Sequence, residues 1–176
     1  MYFLDFKKLV ESIQEFEGVT RKNSIENVIS LLDESYNVSG DVVIDIGDDA
    51  SAIDIGNNQV ILIAADGIWG QIMNVNPYWA GYCSVLVNVN DIAAMGGKPL
   101  AMVNIMSIAH DDIYEELLTG IKDACLKFKV PMVGGHLHPD GEVDSIGVAI
   151  VGIAQKDKII TCLLYTSPSP RDISGS

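Results

Sequence analysis

Residues 76–99, NPYWAGYCSVLVNVNDIAAMGGKP, decide how the rest of the chain is read. Asn76 is a helix cap by its chemistry, Pro77 suits the first helical position, and Gly96-Gly97 followed by Pro99 ends the helix. Between these limits Val85, Leu86, Val87, Val89, Ile92 and Met95 point around most of the circumference, so the segment reads as a helix buried on nearly all sides. One stripe departs from that pattern. Gly81, Ser84, Asn88 and Asp91 recur at spacings of three, four and three, which aligns small and polar groups and sets a carboxylate inside an apolar helix. Two readings fit: Ser84 and Asn88 are satisfied core groups with Asp91 capping something nearby, or the stripe is where chemistry sits.

Upstream, residues 41–46 are β-rich, and after Gly47-Asp48-Asp49-Ala50 two further runs, 52–55 and 59–65, are joined by Gly56-Asn57-Asn58. This spacing predicts a hairpin behind an acidic turn. The run 59–65 is apolar on both faces, which predicts a central strand that delivers Asp66-Gly67 at its C-terminal end. A simple hairpin register over such short strands brings Asp66 toward Asp48 and Asp49. Three carboxylates at one place repel unless a cation sits between them or a proton is shared, and hard oxygen ligands select Mg²⁺ or a similar ion. The same Gly-Asp-Asp also fits a tight turn closed by its own side-chain hydrogen bonds.

Downstream, residues 99–108 read as a strand, and Asp111 or Asp112 opens a helix to about Phe128 with Ile113, Leu117, Ile121, Ala124 and Phe128 facing inward. Residues 130–133 read as a short strand leading into a Gly134-Gly135 turn, which frees backbone N–H groups and lets a ligand approach closely. His136 and His138 stand two apart and can share a face, but two histidines without a third ligand do not make a zinc site. Residues 144–154 alternate as a last strand. At the start, Phe3, Phe6, Val10, Ile13 and Phe16 space as an amphipathic helix that Gly18 stops. A second helix opens at Asn23, with Glu26 in capping-box spacing, and carries Ile25, Val28, Ile29 and Leu32 inward. Lys22, in the basic link between them, is either a solvated hinge residue or a phosphate ligand. Strands alternate with helices, but a hairpin interrupts the pattern. The expected class is therefore α+β, with helices packed on one face of a mixed sheet.

A chain of 176 residues, 48% hydrophobic, has the length of one domain with a sizeable core. Its net charge of −13 and the absence of a basic run argue against a nucleic-acid or anionic-membrane surface, which needs clustered Lys and Arg. A phosphate ligand would then be held through metal ions, backbone amides and helix N-termini. Cys83 and Cys125 fall within predicted helices and form no CxxC, so they read as buried thiols of a reducing compartment. No apolar run approaches the roughly 20 residues of a membrane span, and the N-terminus lacks the layout of a signal peptide, so the expected location is the cytoplasm. After residue 160 the chain changes to TCLLYTSPSPRDISGS. Residues 162–172 resemble the translation of a sequencing-library adapter. The expected organisation is a domain over 1–160 and a non-native tail over 161–176, with the natural protein continuing further.

The ordered set GDDA, AADG, VNVNDIAAMGGKP and VGGH resembles the N-terminal domain of the aminoimidazole ribonucleotide synthetase (PurM-like) superfamily over about residues 18–155. That superfamily includes thiamine-monophosphate kinase, selenophosphate synthetase, the hydrogenase maturation factor HypE and formylglycinamidine ribonucleotide synthetase. The fuller wording is similar to the group called methanogenesis marker protein 2. The resemblance implies the ATP-binding half of a two-domain enzyme whose N-terminal sheets pair into a barrel across a homodimer. It further implies that Asp48, Asp49, Asp66 and Asp91 hold Mg²⁺, and that Asp66, Gly67, Asn88, Asn90, Asp91, Gly134, Gly135, His136 and Lys22 face ATP. The implied activity is ATP-dependent phosphoryl transfer or phosphate activation of a small substrate. The alternatives are a thiamine-monophosphate kinase-like or selenophosphate synthetase-like enzyme, or a non-catalytic nucleotide-binding assembly subunit. His136 stands where the kinase and HypE carry Asp, the purine enzyme Glu and selenophosphate synthetase His, which weakens a direct kinase assignment.

Overall fold

The computed structural model describes residues 6–16, 20, 24–36, 38–138 and 141–162, and the chain divides into two compact units, 1–40 and 41–176. In the first unit α1 (Phe6–Gln14) and α2 (Ser24–Leu32) form where the apolar periodicity places them. Gly18, Lys22 and Asn23 lie outside the described residues. The expectation that α2 turns Ile25, Val28 and Leu32 inward is corrected, because all three are exposed. Periodicity says which residues share a face; it does not say that another surface covers that face.

The second unit is a six-stranded mixed sheet in the order β1-β2-β3-β6-β4-β5. Its strands are β1 (Val42–Ile44), β2 (Ser51–Gly56), β3 (Gln59–Gly67), β4 (Lys98–Ser107), β5 (Met132–His138) and β6 (Ser145–Gln155). All pairings are antiparallel except β4 with β5. The β2–β3 hairpin turns on Asn57 and Asn58, both at positive φ (53° and 59°), a region Asn enters more readily than most residues. As the apolar run requires, β3 is interior, between β2 and β6.

The helices α3 (Gly70–Val75), α4 (Pro77–Ala94) and α5 (Tyr114–Phe128) belong to this unit, and α4 packs on β3, β4 and β6. Asn76 caps α4 by accepting the Trp79 N–H at 2.9 Å, and Gly96, at φ +72°, ends it. Val85, Ile92 and Met95 are fully buried, in one core with Leu62, Met102 and Ile150. A methyl group at Gly81 would lie 2.1 Å from the Leu117 carbonyl oxygen, and one at Gly120 only 1.9 Å from that of Tyr78. These reciprocal glycines let α4 and α5 touch backbone to backbone. The small end of the α4 stripe is therefore a helix contact. On the other face of the sheet Ile63, Val103, Ile105 and Val133 stay exposed. No described helix is long and apolar enough to cross a membrane.

Candidate functional site

At the end of β3 the ladder sets Asp66 opposite Val148, which faces Asn104 on β4, which faces Gly135 on β5. Residues directly opposite in a ladder share a face, and Val148 is buried, so this row looks toward the helices. Asn88 on α4 reaches the row from above. Its side-chain oxygen accepts the Asp66 N–H at 3.2 Å, its amide nitrogen donates to the Ser84 carbonyl at 2.8 Å, and the Ser84 hydroxyl donates to the Gly81 carbonyl at 2.8 Å. Asn88 is wholly buried. Its side chain makes both bonds inside the fold and holds the backbone of Asp66. Asn90 is exposed on the same helix.

One helical turn after Asn88, Asp91 is half-buried. Its carboxyl is pushed up to about 6, first by burial and then by the negative charges of Asp66 and Asp49. Asp66 and Asp49 therefore act on Asp91 through space. The acidic turn is tethered to the end of α4 by the Ala50 N–H, which donates to the Met95 sulfur at 3.0 Å, a link that an apolar Met gave no sign of in the sequence. Within the turn, Asp48 accepts the Asp49 N–H at 3.0 Å, the side-chain closure that a tight Gly-Asp-Asp turn allows. Its other oxygen accepts the Cys162 N–H at 2.8 Å, a contact from the segment that reads as a foreign tail, and no role in the site follows from it. Asp66 accepts the Gly67 N–H at 2.7 Å.

Among the described residues no three His, Cys, Asp or Glu side chains stand ready to hold a metal ion. The donor set nonetheless fits Mg²⁺, which binds through one or two carboxylates together with waters and substrate phosphates instead of an all-protein cage. Asp91 is raised first by burial and then by two like charges, and a cation beside it would offset the second of these.

The Gly134-Gly135 turn is corrected to strand. Residues 134–138 continue β5, parallel to β4, with Val103 opposite Gly134 and Ser107 opposite His138. Gly135 is needed because a methyl there would fall 1.8 Å from the Asn104 side-chain oxygen. In a strand, glycine marks the close approach of another group as often as it marks a turn. Asn104 itself, 9% exposed, is a site residue that the sequence reading missed. Its signal was present: Met102, Asn104 and Met106 alternate inward, and Asn is the polar member of an apolar series. His136 lies in the next row, opposite Ile105, and Ile105 faces Gly147 and Gly147 faces Gly67. That row looks out from the open face, where Ile105 is 60% exposed. The register thus sets His136 on the face opposite the carboxylate row.

The description "AIR synthase related protein, N-terminal domain" matches residues 47–154, which contain the acidic turn, the β3 aspartate, the α4 stripe and the β5 glycines. The chain belongs to this family. It is 51% identical over 160 residues to an uncharacterized protein of Methanocaldococcus jannaschii, covering 89% of this chain and 49% of the relative. It is 27% identical to the selenide, water dikinase of Carboxydothermus hydrogenoformans, covering 78% and 40%. Among solved structures, thiamine monophosphate kinase of Aquifex aeolicus superposes with TM-score 0.60 at 22% identity, covering 76% and 44%. The Thermotoga maritima protein PurL, solved with AMPPCP, superposes with TM-score 0.67 at 21% identity, covering 78% and 25%. These likenesses establish an α+β fold with helices on one face of a mixed sheet. The chain spans about half the length, or less, of the curated relatives it matches.

Proposed function

We propose that this chain is the ATP- and Mg²⁺-binding part of an AIR synthase-related enzyme that transfers or activates phosphate on a small substrate. The observation that carries the reading is the placement of Asp91, half-buried on α4 one turn after the Asn88 that holds the Asp66 N–H, within the segment that matches the family. A core helix tolerates that arrangement at a cost, and a cation with its phosphates removes the cost. Solved relatives carrying AMPPCP, ATP or ADP support the nucleotide.

In this reading Asp48, Asp49, Asp66 and Asp91 would hold Mg²⁺. The bound ions would neutralise charge that develops on the phosphates. The chain's own contribution is placement. Asn88 fixes the backbone of Asp66, Met95 fixes the acidic turn, and Asn104 and Gly135 form a polar and side-chain-free surface in the same row. Asn90 would face the phosphates from the rim. Rate would come from positioning and charge, since phosphoryl transfer asks little covalent chemistry of the protein.

The open apolar sheet face supports pairing with a second copy, sheet to sheet, into a barrel. A sedimentation velocity run at micromolar concentration should find a dimer; a stable monomer there would remove this part of the proposal. The wording of residues 66–99 supports placement in the methanogenesis marker protein 2 group. Thermal unfolding tests the nucleotide reading directly. Mg²⁺ should raise the melting temperature and ATP should raise it further, because a ligand that binds only the folded state stabilises it by mass action. Equal shifts by ATP with and without Mg²⁺ would rule out the carboxylate site. On the protein extended to its relatives' length, Mg²⁺-dependent ATP turnover should separate an enzyme from a nucleotide-binding subunit.

A further inference from the structure

Just past β4, the ring Nδ1 of His110 lies 2.6 Å from the buried Asp144 carboxylate, which also accepts the N–H groups of Ala109 at 2.7 Å and of His110 at 3.2 Å. An ionised carboxylate only accepts, so Nδ1 carries the hydrogen and Nε2 keeps its lone pair. That second nitrogen has no hydrogen-bond partner among the described residues, and the side chain is 66% exposed. A base serving a nucleophile of the protein would be bonded to it, and no Ser, Thr, Cys or Lys side chain among the described residues meets this ring. The free end of the pair therefore faces whatever the protein binds.

The pair stands beyond the strand ends, off the sheet face that a second copy would cover. It shares an end of the sheet with Asp66. Ile68, two residues past Asp66, donates its N–H to the Ile146 carbonyl at 3.1 Å, two residues from Asp144. Asp66 itself pairs with Val148, four residues from Asp144, which is about 13 Å along the chain at roughly 3.3 Å per residue. A phosphate chain anchored at the carboxylates and attacked in line from about 3–3.5 Å has such an interval to bridge.

We propose that Nε2 of His110 is the chain's own phosphoryl acceptor, with Asp144 as its positioning residue, a step that rests on the ATP reading above. The Nε2 lone pair attacks the terminal phosphorus of ATP, an N–P bond forms, and the bond from that phosphorus to the bridging oxygen breaks, releasing ADP. No proton moves in this step. The ring gains a positive charge, and the Asp144 carboxylate beside Nδ1–H is placed to stabilise it. The small substrate then takes the phosphoryl group from Nε2 and the ring returns to its neutral form. Splitting one transfer into two is what a histidine nucleophile supplies. Asp144, through its hydrogen bond and its charge, and then Asp112 raise the proton affinity of the ring, and a more basic nitrogen is a stronger nucleophile once its proton has left.

The test is covalent labelling of the protein, extended to its relatives' length, with ATP carrying a radioactive terminal phosphate and Mg²⁺, in the absence of any added substrate. Wild type should retain label that survives alkali and is lost in acid, as an N–P bond requires, and peptide mapping should place it at His110. His110→Asn should lose the label by at least about tenfold, because Asn keeps a donor for Asp144 but has no second ring nitrogen. His138→Asn should label like wild type. Melting temperatures measured alongside separate the two readings: His110→Asn should keep the stabilisation by Mg²⁺ and ATP. No label on a wild type that ATP stabilises, label that is stable in acid, or label that persists in His110→Asn overturns the phosphohistidine and leaves nucleotide binding standing. A wild type neither labelled nor stabilised by Mg²⁺ and ATP overturns both.

Discussion

Asp144 and Asp91 are two carboxylates of the same unit, and the fold treats them in opposite ways. Asp144 is the more buried, at 5% exposure, yet its carboxyl is held below the usual range. Burial pushes it up, but the His110 ring, the N–H groups of Ala109 and His110, and the His110 charge together pull it down further. Asp91 is less buried and is raised to about 6, first by desolvation, which no donor offsets there, and then by the negative charges of Asp66 and Asp49. Depth alone therefore does not decide ionisation; the donors and charges around a carboxylate do. A carboxylate met by three donors is a fastening. One set against its own kind is, in the proposed site, what a cation would offset.

The largest effect should come from the fastening. Asp144→Ala strands the donors of Ala109 and His110 and should cost about 2–3 kcal/mol in denaturant unfolding near pH 6. The pH window follows from the two shifts. Asp144 is lowered, so its contribution is present above its ordinary value of 3.8 and fades as pH falls through the lowered value. His110 is raised, so its contribution is complete below 6.5 and fades as pH rises through the raised value. A loss below about 0.5 kcal/mol at pH 6 would break the contrast at its firmer end.

Next comes Asn88→Ala, which removes the buried bracket between α4 and the end of β3 and should cost about 1–3 kcal/mol. It should also reduce the stabilisation by Mg²⁺ and ATP, because Asp66 loses its fixed backbone; intact ligand stabilisation in a destabilised variant would show that Asn88 is core alone.

Asp91→Asn should do the reverse. Metal-free stability at pH 7.5 should be unchanged or higher by at most about 1 kcal/mol, after discounting for the solvent that still reaches this group. The added stability from Mg²⁺ and ATP should disappear. A clearly destabilised metal-free variant that still responds to nucleotide would mean that Asp91 is a fastening like Asp144.

The smallest effect is a slope. Because the folded value of Asp91 lies above the unfolded one, the folded state binds more protons between about pH 4 and 6, and this group lowers stability as pH rises through that window. Melting temperatures of metal-free wild type and Asp91→Asn should diverge across the window and run parallel above it.

Much of this contrast was legible beforehand. Asp48, Asp49, Asp66 and Asp91 stood out because carboxylates at strand ends and inside an apolar helix need a reason. The hairpin, the long helix and its limits were readable from Asn57-Asn58, Asn76-Pro77 and Gly96-Gly97, whose backbone preferences act locally. Asp144 and His110 drew no notice, since a lone Asp before a strand and a lone His in a loop carry no local pattern. Gly134-Gly135 misled because glycine permits a turn and a close strand contact alike, and only the neighbour, Asn104, tells which.

The sequence by itself determined the element types and the chemical kinds of group at the ends of the strands. These follow from dihedral preference and apolar period, which act over a few residues. Only the tertiary structure decided which groups meet. Asn88 on α4 reaches the N–H of Asp66 on β3, and Met95 reaches the acidic turn. His136 parts from the carboxylates because adjacent ladder rows look to opposite faces. Such meetings depend on strand register and on how closely α4 can approach α5 through Gly81 and Gly120, and those are set by packing over the whole unit.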